Sequence, residues 1–87
     1  MDNAEKELKK LKDGIEIALN NLQTRYDEVL KNQNEIIQKL DSGELFKDLN
    51  KLSGTEINAY QNGGELQALS FAIREIKCFY NSTNESN

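Results

Sequence analysis

Apolar residues recur at helical spacing for more than thirty residues without losing phase: Leu8, Leu11, Ile15, Ala18/Leu19, Leu22, Tyr26, Val29/Leu30, Ile36/Ile37 and Leu40. At 100° per residue these side chains fall in an arc roughly 120° wide, which is one helix face that has to be covered. The helix carrying them would be about 55–60 Å long at 1.5 Å per residue. A compact domain of this chain length is narrower than that. Something must therefore lie beside the helix, and that requirement governs the rest of the reading.

The chain can supply only part of the cover. Its 87 residues make one domain, and apolar residues are 37% of them with no Trp, so a core built from one copy is thin. Oligomerisation or a larger partner would add the missing burial. The absence of Pro leaves long helices uninterrupted. Lys and Arg number 11 against 15 Asp and Glu, a net charge of −4. That balance argues against nucleic acid and anionic membrane surfaces as partners, since both are bound mainly through Lys and Arg. No run approaches the ~20 apolar residues of a membrane span, and the first residues lack the apolar segment of a secretory signal. With a single cysteine, Cys78, the chain is expected in a reducing, cytoplasmic setting. Its richness in Asn, Lys, Ile and Glu fits an AT-rich genome such as that of a low-GC bacterium, its phage or a mobile element.

The periodicity predicts a first helix over about 3–40. Gly14 interrupts it at a cost of about 1 kcal/mol relative to Ala, yet Leu8 and Leu11 keep the face of Ile15 and Leu22, so the helix is read as continuous. Three N-cap patterns follow, each with a carboxylate three residues on: Asp41-Ser42-Gly43-Glu44, Ser53-Gly54-Thr55-Glu56 and Asn62-Gly63-Gly64-Glu65. They predict a short helix near 44–52, another near 55–62 and a last one over about 64–80. In that last helix Leu66, Leu69, Ala72, Ile73, Ile76 and Tyr80 share a face. Ile57 and Tyr60 project more than about 100° from it when the helix is extended backwards, so a break or kink is expected at Gly63-Gly64. The expected fold is all-α: a single domain over 1–80 in which shorter helices fold back on a long N-terminal one, as a helical hairpin or small bundle that oligomerises. Residues 81–87 are polar and are expected to be a disordered tail.

Catalytic equipment is hard to find. There is no His, which removes the usual general base at neutral pH and the commonest transition-metal ligand. Carboxylates do gather on helices, Asp27/Glu28 with Glu35 and Glu44 with Asp48, as in helical magnesium-dependent hydrolases. Here they alternate with Lys31, Lys39 and Lys47, the pattern of a solvated face with local ion pairs. Asn62-Gly63-Gly64 could offer backbone amides to a phosphate, but Glu65 would repel it. Cys78 has no neighbouring base to make it a catalytic thiolate. No cofactor, no metal and no enzymatic activity are expected.

Two features look like interface. Gln33 interrupts the long apolar stripe, where a polar side chain can fix register or partner as it does in coiled coils. The last helix is apolar on more than one side: Phe71 and Cys78, a heptad apart, project opposite Leu69, Ile73 and Ile76, with Phe79 and Ala68 on the flank. The expected function is a non-enzymatic protein–protein interaction module, an inhibitor, adaptor or chaperone, dimeric or bound to a larger protein through helix faces. The alternative is a helical oligomer that binds and sequesters a small ligand such as a nucleotide.

Overall fold

A computed structural model describes residues 3–85. It contains two long helices in antiparallel pairing: α1, Asn3–Ser42, and α2, Leu49–Glu85, joined by a short 3-10 turn over Glu44–Lys47. The hairpin is a rod of 66 × 17 × 16 Å with a radius of gyration of 19.4 Å, where a compact chain of this length would have about 12 Å.

After Lys12, the α1 residues shielded wholly or in part from water are Ile15, Leu19, Leu22, Tyr26, Val29, Gln33, Ile36 and Leu40. Their steps alternate strictly between four and three, the heptad spacing of a helix that keeps one face on a partner. The stripe read from the sequence supplies this seam from Ile15 to Leu40, with Gln33 included in it, whereas its members Leu8, Leu11, Ala18, Leu30 and Ile37 stay exposed; α1 runs through Gly14 without interruption. A Cβ at Gly14 would meet nothing within 4 Å.

The second half of the molecule differs from the expected set of shorter helices. Residues 49–85 form one helix, so neither the helix boundary near Ser53 nor the break at Gly63-Gly64 occurs. The reason is visible in the phase. Leu52, Thr55, Ala59, Asn62, Leu66, Leu69, Ile73, Ile76 and Tyr80 are all partly or fully shielded, again in alternating steps of three and four. Small and polar residues carry the seam through the first half of α2, while Ile57 and Tyr60 stay outside it at 58% and 85% exposure. The expectation of a break assumed that Ile57 and Tyr60 had to be buried, and they are not. Helix α2 also passes its expected end near Tyr80, continuing to Glu85; Ser86 and Asn87 lie outside the described residues.

The turn works through different residues from those predicted. Gly43 stops α1 with φ of +76°, a left-handed conformation that glycine adopts without penalty just past a helix end. Its N–H donates to the Leu40 carbonyl at 3.2 Å, and the Ser42 hydroxyl donates to the Lys39 carbonyl at 2.7 Å. The N-cap of α2 is Asp48, in extended conformation, whose Oδ1 accepts the N–H groups of Asn50 and Lys51 at 3.1 and 3.3 Å. A carboxylate there satisfies two of the helix's free donors and complements its dipole.

Four contacts, three between side chains and one from a side chain to a backbone carbonyl, fix the antiparallel register. Tyr80 Oη donates to Glu16 Oε1 at 2.7 Å, and Asn62 Nδ2 to Asn32 Oδ1 at 3.5 Å. Gln33 Nε2 donates to the Ala59 carbonyl at 3.0 Å. Arg25 meets the Glu65 carboxylate with both Nε, at 2.7 Å, and Nη2, at 3.1 Å. Among the described residues the buried core comprises Val29, Ile36 and Ile73 alone.

Candidate interaction surfaces

Pairing two amphipathic helices covers one face of each and leaves the others to solvent. On α2 the uncovered face has a periodicity of its own. Ile57, Tyr60, Gly64, Gln67, Phe71, Arg74 and Cys78 follow one another in steps of three and four, which sets them opposite the seam. Phe71 is 57% exposed, and the Arg74 guanidinium lies over its ring at 5.6 Å from the centroid, within cation–π range. Cys78 is a free, exposed thiol.

Of the residues singled out from the sequence, Phe71 and Cys78 therefore share this outer face, and Ala68 is exposed at its edge. Phe79 is exposed as well but turned about 80° from Phe71, toward the flank where the two helices meet. Gln33 belongs elsewhere: it lies between the helices, part-buried, with its amide nitrogen held by Ala59 and its Oε1 buried without a hydrogen-bond partner. Ala59 leaves room for the longer Gln33 side chain across the seam.

Sequence reasoning missed Ile57 and Tyr60 as members of the outer face, because it assigned them to a separate short helix. Their offset of 14 and 11 residues from Phe71 was the available signal, and it becomes legible only if α2 is one helix. The flank groove between Leu11 and Phe79 joins residues 68 positions apart, and nothing local to either residue indicates it.

The acidic residues considered for metal binding do not converge. Among the described residues there is no group of three or more His, Cys, Asp or Glu placed to hold a metal ion. Nor is any described helix long and apolar enough to cross a membrane.

The class defined by this geometry is an antiparallel helical hairpin with a single two-helix seam. Comparison with family models, with curated proteins and with solved structures gives no match for this chain.

Proposed function

We propose that the chain is a non-enzymatic protein–protein interaction module, an inhibitor, adaptor or chaperone, that binds a protein partner through the outer face of α2. The observation that carries this reading is the imbalance of burial. Three side chains form the buried core of the described residues, while Ile57, Tyr60 and Phe71 lie in line on an exposed face, each more than half accessible. Exposed aromatic and aliphatic side chains aligned along one helix suit a helix-in-groove contact, where anchors at steps of three and four enter a partner's cleft. Tyr60 and Phe71 are the types that dominate binding energy when desolvated. The proposed setting is the cytoplasm, a reading supported by the single cysteine, Cys78, which has no partner within the chain for a disulfide.

A photo-crosslinking side chain at position 71, compared with one at Lys31 on the opposite side of the hairpin, tests the reading in the source cell. Position 71 should yield one dominant protein adduct that position 31 does not. Phe71→Ala should then weaken the isolated complex about thirtyfold, corresponding to about 2 kcal/mol, with helical content unchanged. Equal labelling from both positions, or an unaltered affinity, would remove the outer face from the function.

A further inference from the structure

The outer face of α2 has a centre line. Ile57, Gly64, Phe71 and Cys78 stand a heptad apart, opposite the seam, and all four are exposed. Tyr60, Gln67 and Arg74 flank this line about 50° to one side, and Gln61, Ala68 and Glu75 about as far to the other. Along the line size alternates: Ile57 is large, Gly64 has no side chain, Phe71 is large and Cys78 is small.

We propose that this line is the contact between two copies of the chain, α2 against α2, antiparallel about a two-fold axis that crosses the helix between Gln67 and Ala68. The inference rests on the reading of the outer face as an interaction surface and names a second copy as its partner. Three observations select that occupant.

The first is size. Residues equally far from the axis on opposite sides come level, so Phe71 meets the other copy's Gly64 and Ile57 meets the other copy's Cys78. The symmetry repeats both pairs, and every large side chain on the line faces a small residue. Lacking a Cβ, Gly64 leaves a dimple ringed by Tyr60, Gln61, Gln67 and Ala68, which receives the Phe71 ring as a knob enters a hole. Within one copy nothing requires a glycine there, since its φ is not positive and an added Cβ would meet nothing within 4 Å, although it weakens the helix. A two-fold axis along the helix would instead set ring on ring at Phe71 and gap on gap at Gly64.

The second is the polarity of the rims. The axis sets each flank of the line against the same flank of the other copy. Arg74 comes within one residue of the level of the other copy's Tyr60, in reach of a cation–π contact. Glu56 and Lys77, both exposed on that side, come within two residues of each other's level, about 3 Å along the rod. They meet as opposite charges. On the other flank Gln61 comes beside the other copy's Glu75. On neither flank do like charges come level.

The third is position. The axis falls at the midpoint of α2, Leu49–Glu85. The register that matches the sizes therefore also overlaps the two helices along their whole length, the longest contact that an antiparallel pair can make.

Sedimentation of the full chain over a concentration series reads the association, with circular dichroism to confirm folding. The wild-type chain should be dimeric at micromolar to millimolar concentration. Phe71→Ala, which empties the dimple, and Gly64→Phe, which sets ring on ring, should each weaken self-association about thirtyfold. Mixed together, the two variants should associate with each other near wild-type strength, since each level again holds one ring and one small residue. Disulfide formation in air reports the direction. The wild-type chain should form no disulfide dimer, because the two copies of Cys78 stand about 32 Å apart along the rod. Ile57→Cys should crosslink, position 57 of one copy to Cys78 of the other. A monomeric wild-type chain, a mixture that does not recover, or linkage of 57 to 57 or of 78 to 78 would each overturn the inference. If the chain is monomeric while a photo-crosslinker at position 71 captures a different protein, the second copy is excluded and the interaction-module reading stands. If position 71 labels no more than position 31, that reading fails as well.

Discussion

Gln33 is the residue whose environment is least settled by its own chemistry. Its Nε2 is satisfied by the Ala59 carbonyl, but its Oε1 is buried with no partner, and an unmet acceptor costs about 1–3 kcal/mol. Gln33→Leu is therefore expected to stabilise the hairpin by about 1 kcal/mol in urea titration, since the Ala59 carbonyl retains its helical partner. What it should lose is uniqueness. A polar group at a single seam position penalises shifted pairings more than the native one, so the variant should show extra cross-seam distances in spin-label measurements. The Arg25–Glu65 bridge is bidentate, yet the Arg25 side chain is 57% exposed. Arg25→Ala is accordingly expected to cost under about 1 kcal/mol, and less at high salt. Truncation in the core is different in kind. Ile36→Ala should cost about 2–4 kcal/mol, more than Leu22→Ala, because Leu22 sits mid-stripe but is only partly covered.

At the scale of the elements, the two helices are unequally secure. The seam of α1 is apolar apart from Gln33, whereas the first half of α2 presents Thr55, Ala59 and Asn62 to it and also carries Gly54, Gly63 and Gly64. Each interior glycine weakens a helix by about 1 kcal/mol relative to Ala, and small or polar seam residues return little burial. Amides over 49–64 should consequently exchange with solvent faster than those over 66–80, measured by hydrogen exchange. Gly54→Ala should raise stability by about 0.5–1 kcal/mol, since an added Cβ meets nothing within 4 Å. An unchanged urea midpoint would mean that this segment is already frayed in the native state.

For the whole molecule the governing quantity is the ratio of surface to core. A rod 66 Å long and one helix pair thick cannot enclose many side chains, so its stability should depend on what else it touches. The melting temperature is expected to rise with protein concentration, as it must when association involves only the folded chain.

Local chemistry in the sequence determined the all-helical class, the continuity of α1 through Gly14 and the face that α1 buries. Each follows from periodicity within a single helix, where residues three and four apart are neighbours whatever the rest of the chain does. The glycine-rich middle of α2 was not legible in the same way. Ser53 and Asn62 can cap a helix only where the backbone leaves helical conformation, and whether it does so depends on contacts with α1. The tertiary structure decided that those contacts, through Thr55, Ala59 and Asn62, keep α2 whole. With α2 whole, Ile57 and Tyr60 come into line with Phe71, and Leu11 comes beside Phe79 across the flank. The outer face of α2 is legible from its spacing once α2 is known to be one helix, whereas the flank is a product of antiparallel register, which links residues distant in the chain and which no spacing along the sequence encodes.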